Sequence, residues 1–168
     1  DKHPSDKTAR RLAGSGEVIP RESTDPAEFP SLVNDILPGF TTTASGQQGV
    51  GVLKEYRGRI GVLRTHPVND DVSCVLTGKF LIPAASKTAL LLDVGHDAAG
   101  DWRLVVRANG QQVLKTEVSP KTCKDGWTTF SIELSRFAGQ DVAIRLENEP
   151  DDREREFGYW NGARLVTE

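Results

Sequence analysis

The sequence predicts an all-β domain, a sandwich or a barrel of short strands, with one short N-terminal helix. Three observations lead there. After Phe40, apolar residues fall in short runs, several alternating, divided by Gly, Pro, Asn and Asp at strand-sized intervals. The run RLVVRANGQQVLKTEV sets Asn109-Gly110, the pair suited to the two positive-φ positions of a type I′ hairpin, between two apolar-rich segments. Only one stretch, DPAEFPSLVNDILPG, has apolar residues at helical spacing.

In chain order, residues 1–24 read as a polar tail of mixed charge, expected to be disordered or a loosely attached strand. Residues 25–168 read as a single β-sandwich domain, which suits a chain of 168 residues. The helix is expected at about 25–37, with Asp25 as N-cap, Pro26 at the first position, and Leu32, Val33, Ile36 and Leu37 on one face. Pro30 and Pro38 keep it short, and its apolar stripe should cover an open end of the β core. Nine strands are expected after it: 49–56, 59–65, 74–82, 89–94, 102–108, 112–118, 127–134, 142–148 and about 162–166. In TTFSIEL, Phe130, Ile132 and Leu134 fall on one face. In DVAIRLEN, Val142, Ile144 and Leu146 do the same, so each strand has a dry and a wet side.

Composition removes several function classes. Lys and Arg number 21 against 24 Asp and Glu, a net charge of −3, which lacks the basic balance of a duplex DNA binder. No apolar run is long enough to cross a membrane as a helix. The chain begins with Asp and holds no Met, which reads as a processed chain or an excised domain. Cys74 and Cys123 are too few and too distant for a zinc knuckle or a redox pair. In an exported protein they would form one disulfide, with two unpaired buried thiols as the alternative. A secreted, periplasmic or cell-surface location is therefore expected.

The segments KFLIPAASKTALLLDVG, GDWRLVVRANGQQVLKTEV, GWTTFSIELSRFAGQDVAIRLEN and YWNGARLV together resemble the galactose-binding-like jelly rolls of secreted carbohydrate-binding modules. There, a Leu-rich strand leads to a GDW loop and a strand ending in NG, a Trp-to-Leu-Ser segment follows, and an aromatic-bearing strand closes the fold. The resemblance spans Val75 to Val166. It implies the fold and, more loosely, sugar binding and a structural calcium whose ligands come from separated loops. Glu133 stands where many such domains carry Asp. Ser135-Arg136-Phe137-Ala138-Gly139 reads as an architectural bridge, with Ser135 capping one helical turn and Phe137 anchoring it.

Catalytic signatures are absent. Ser15 and Ser45 lack a nucleophile-elbow context. Gly46, Gly49 and Gly51 do not match a dinucleotide fingerprint. His3, His66 and His96 have no metal-ligand spacing. Asp151, Asp152, Glu154 and Glu156 alternate with arginines and should titrate as surface carboxylates, not as an acid–base pair. Asp97 and Asp101, in a glycine-flanked loop, are the candidate ligands for a calcium ion, and no other cofactor is expected.

A sugar site needs an aromatic platform and a few polar groups. Adjacent Tyr159 and Trp160 must point to opposite sides of an extended chain, so one can pack while the other is exposed. Trp127 lies on the polar face of its strand, and Trp102 reads as core. Arg103, Arg107 and Arg145 should share a wet sheet face and meet acidic or hydroxyl-rich glycans, or else pair with Asp93, Glu133 and Glu147. The expected function is a non-catalytic carbohydrate-binding accessory domain, with a glycan and neighbouring domains of a larger chain as partners. The alternative is a structural or protein-interaction sandwich without a sugar site.

Overall fold

The computed structural model describes residues 9–11, 25–42, 50–84, 87–151 and 156–168. The chain runs β1 (Ala9–Arg11), a 3₁₀ turn (Pro26–Glu28), α1 (Phe29–Ile36), β2 (Phe40–Thr42), β3 (Val50–Tyr56), β4 (Arg59–Thr65), β5 (Cys74–Leu81) and β6 (Thr88–His96). It continues with β7 (Trp102–Ala108), β8 (Gln111–Val118), β9 (Trp127–Glu133), a 3₁₀ turn (Ser135–Phe137), β10 (Asp141–Glu149) and β11 (Gly158–Thr167).

These strands form two antiparallel sheets. One runs β3-β4-β11-β6-β9, with β1 added beside β11; the other runs β2-β5-β10-β7-β8. Their inner faces meet in one core that includes Leu90, Leu92 and Val94 from β6, Leu104 and Val106 from β7, and Val142, Ile144 and Leu146 from β10. At its centre, Trp102 and Trp160 are tilted against each other with ring centroids 5.1 Å apart. The alternation visible in the sequence thus becomes the dry side of each sheet.

Asn109 and Gly110 have φ of +49° and +79°, the type I′ geometry that joins β7 to β8. Asn109 also clips β10, since its Oδ1 accepts the Ala143 N–H at 2.9 Å. The helix starts later than its sequence suggests. Asp25 Oδ1 accepts the Ala27 N–H at 3.0 Å and so caps the 3₁₀ turn, and α1 begins only at Phe29. Phe29, Leu32, Val33 and Ile36 are buried. They pack α1 against β2 and toward β3, β4 and β11, covering an open margin of the core.

β11 begins at Gly158, not near 162, and places Tyr159 and Trp160 inside a strand. The expected tail contributes a strand at 9–11; its other residues lie outside those described, as do Ser15, Ser45, Gly46, Gly49, His3, Asp152 and Glu154. Ser135 does not cap the turn that follows Glu133. Its hydroxyl bonds the Glu133 carboxylate and accepts the Thr88 N–H at 2.9 Å, while Phe137 anchors the turn in the core as expected.

The expected disulfide does not form. Cys74 opens β5, and Cys123 lies in the loop that leaves β8. In their sheet β10 and β7 stand between β5 and β8, the strands nearest in sequence to the two cysteines. Burial pushes the Cys74 thiol up to about 12.

Candidate functional site

Tyr159, Trp160 and Trp127 are all buried. Tyr159 and Trp160 do point to opposite sides of β11, but neither side is open. Trp160 enters the main core, where its Nε1 donates to Thr65 Oγ1 at 2.9 Å. Tyr159 and Trp127 belong to a separate cluster with Val62, flanked by Leu53, Tyr56 and Phe157.

The β3–β4 hairpin seals this cluster. β4 pairs with β11 only across Gly158–Trp160, and the hairpin tip then crosses the outer face of β11 and β6 to reach β9. Tyr56 stacks on Tyr159 with centroids 3.7 Å apart and meets Trp127 edge-on at 6.3 Å. The Arg57 carbonyl accepts Trp127 Nε1–H at 3.2 Å, Tyr56 Oη donates to the His96 carbonyl at 3.1 Å, and the Arg59 guanidinium lies 5.1 Å from the Trp127 ring centre. Gly95 permits this closeness, because a Cβ there would come within 2.5 Å of the Gly126 carbonyl and 3.0 Å of the Trp127 ring. Burial, followed by the neighbouring Tyr56 phenol group, pushes the Tyr159 phenol well above its ordinary range.

The three arginines share the outer face of the second sheet, as expected, and each is engaged. Arg107 Nε donates to Glu147 Oε2 at 2.9 Å and Arg145 to Glu147 Oε1 at 3.2 Å; Arg103 reaches Glu149 at 3.3 Å and Lys115 reaches it at 3.6 Å. Arg145 and Arg107 stand directly opposite in register, so Glu147 offsets a like-charge pair. Of the expected acidic partners only Glu147 is used. Asp93 and Glu133 lie on the other sheet, where Asp93 accepts Thr129 Oγ1–H at 2.5 Å and Glu133 takes Ser135.

In the loop carrying Asp97 and Asp101, local hydrogen bonds position Asp97. Asp97 Oδ1 accepts the Ala99 N–H at 2.9 Å, and its carbonyl accepts the Gly100 N–H at 3.1 Å and faces His96 Nδ1 at 2.7 Å. Among the described residues no three His, Cys, Asp or Glu side chains gather as cation ligands.

Among the described residues, an open concavity lies between the edge strands β8 and β9. It is a groove of about 350 Å³ lined by Gln112, Val113, Leu114, Ser131, Ile132, Glu133 and Arg136. Ile132 is buried and Val113 and Leu114 half-buried, packed on the core, so they form an apolar floor; the four polar residues are exposed and form a rim. The β7–β8 register shifts between Val106 and Arg107, where Leu114 pairs with Val106 but Gln112 with Arg107, leaving Val113 as the extra residue of a bulge. Glu133 is the most fixed group of the rim. The Ser135 hydroxyl, then the Ser135 N–H at 2.9 Å, hold its carboxyl below the usual carboxylate range. The Arg136 guanidinium is drawn over the Phe137 ring, 4.8 Å from its centre. Sequence reading takes Glu133 as an ion-pair partner for the arginines and Arg136 as part of an architectural bridge, and gives Gln112 and Ser131 no site role. The groove exists only because edges of different sheets lie side by side, and the bulge at Val113 has no signature in QQVLKTEV.

No family model matches the chain. It is similar to an uncharacterized protein of Archaeoglobus fulgidus, 28% identical over 130 residues, 68% of this chain and 33% of that protein. The chain thus spans about a third of the length of that relative. Among solved structures it is similar to the apo form of a cyclase from Fischerella sp., with a TM-score of 0.59 at 15% identity over 96% of this chain and 98% of that one. It is also similar to arabinose-bound MgGH51 α-L-arabinofuranosidase, with a TM-score of 0.59 at 10% identity over 95% of this chain and 26% of that one. A family 35 carbohydrate-binding module from an environmental isolate is similar over 64% of this chain and 72% of its own, at 14% identity and a TM-score of 0.45. The two structures with TM-scores of 0.59 share the sandwich fold with this chain.

Proposed function

We propose that this is a non-catalytic carbohydrate-binding accessory domain, a galactose-binding-like module working without a cofactor in a larger exported protein, with the β8–β9 groove as its glycan site. One observation carries the reading: an apolar floor of Val113, Leu114 and Ile132 bordered by exposed polar groups. A sugar ring offers a C–H face to such a floor and hydroxyls to such a rim. Arrangement as one part of a longer chain is supported by the arabinofuranosidase, only 26% of which is similar to this sandwich, and by the length of the archaeal relative. Export rests on this reading alone, since no disulfide joins the two cysteines.

A panel of neutral and acidic oligosaccharides titrated by calorimetry tests it. Saturable binding is expected, reduced at least tenfold by Ser131→Trp, which fills the groove from an exposed position. Silence from every glycan would leave the second reading, a protein-interaction sandwich. That alternative draws on the sealed aromatic cluster and on the exposed Leu81, 65% accessible on β5.

A further inference from the structure

Resting on the glycan reading of the groove, we infer that its ligand is a neutral sugar unit, bound through a pair of adjacent hydroxyls that donate to the Glu133 carboxylate, and that Ser135 is the positioning residue which aims that carboxylate. The argument begins with what the rim offers. Each hydroxyl of a polyol is both donor and acceptor, so a site for a neutral ring needs both polarities around one apolar floor. An anionic ring, a uronate or a sulfated sugar, adds a group that only accepts, and such a group is served by converging donors. The groove has a carboxylate that only accepts, an amide in Gln112 that does both, a hydroxyl in Ser131, and a guanidinium in Arg136 that only donates. A fixed carboxylate beside the floor counts against a second negative charge in the same space. Lys87 lies near enough to influence Glu133 and offsets its charge without supplying a lining group.

Glu133 is also a rim group held in place by two hydrogen bonds. Ser135 holds its carboxyl through both the hydroxyl and the N–H, using Oε1. The hydroxyl of Ser135 is itself held where it accepts the Thr88 N–H, so the chain of bonds runs from the start of β6 through Ser135 to Glu133. A carboxylate fixed at one oxygen keeps the lone pairs of the other in a constant direction, which lowers the ordering cost when a ligand arrives. The volume, about 350 Å³, lies at the low end for small-molecule sites. It suits a short oligosaccharide or a chain end.

The test compares unmodified and uronate or sulfated oligosaccharides of equal length on the full chain by calorimetry, at low and moderate salt. Tighter binding of the neutral series is expected, with little change on adding salt. Glu133→Gln should weaken the neutral series at least tenfold. Ser135→Ala should weaken it about three- to tenfold, raise the Glu133 titration midpoint measured by NMR, and leave near-ultraviolet dichroism unchanged. Ser135→Thr, which keeps the hydroxyl, should restore most of the affinity. Tighter binding of the acidic series, strengthened by Glu133→Gln, would overturn the neutral-ligand inference and leave the glycan site standing. A neutral preference that Ser135→Ala does not alter would overturn the role of Ser135. No binding by either series would remove the site and the inference together.

Discussion

The outer side of the β3–β4–β11–β6–β9 sheet and the seam between β8 and β9 invite opposite first impressions. The former collects Tyr56, Tyr159 and Trp127, the side chains a sugar platform would want, yet the hairpin tip closes over them and the polar atoms of Tyr56 and Trp127 are spent on the His96 and Arg57 carbonyls. The latter has no aromatic residue in its groove lining and nevertheless holds an open groove with a mixed polar rim. Aromatic content therefore measures how much apolar area a region can bury, while availability depends on what covers it. The three arginines repeat the lesson, since they converge on one face and are held there by Glu147 and Glu149.

The strongest way to break this contrast is to truncate an aromatic residue assigned wholly to the core. Trp160→Ala should cost about 3–5 kcal/mol in denaturant unfolding, because the side chain is 1% exposed and bonded to Thr65. A loss near zero would mean that this ring is a surface group after all.

A smaller effect is expected at the seal itself. Tyr56→Ala should cost about 1–3 kcal/mol and leave oligosaccharide affinity unchanged, since Tyr56 stacks on Tyr159 away from the groove. If instead it creates or abolishes glycan binding, the covered cluster is the site. The same seal has a pH signature. The Tyr159 phenol is held above its ordinary value, so the folded chain keeps its proton where the unfolded chain releases it. That contribution is intact below the unfolded value of about 10 and is lost as pH rises from there toward the folded value. Tyr159→Phe, which removes this titration, should move the midpoint of alkaline unfolding to higher pH, as followed by tryptophan fluorescence.

The smallest change concerns the cysteines. Intact mass should not alter on reduction, and alkylation of the native chain should reach half-buried Cys123 well before Cys74, whose burial holds its thiol near 12. A mass gain of two hydrogens on reduction would restore the bridge.

Local pattern was enough to place most strands, the Asn109-Gly110 hairpin and the α1 stripe, because period-two alternation, a positive-φ dipeptide and helical spacing are all written in adjacent residues. It also foresaw that Tyr159 and Trp160 would part to opposite sides, which extended backbone geometry imposes. It could not foresee that both sides were covered, that Glu147 and Glu149 would answer the arginines, that two intervening strands would keep Cys74 and Cys123 apart, or that β8 and β9 would leave a groove between them. Those outcomes depend on strand order, and strand order is settled by contacts between residues tens of positions apart in the chain, where the whole core, and no single segment, sets the energy.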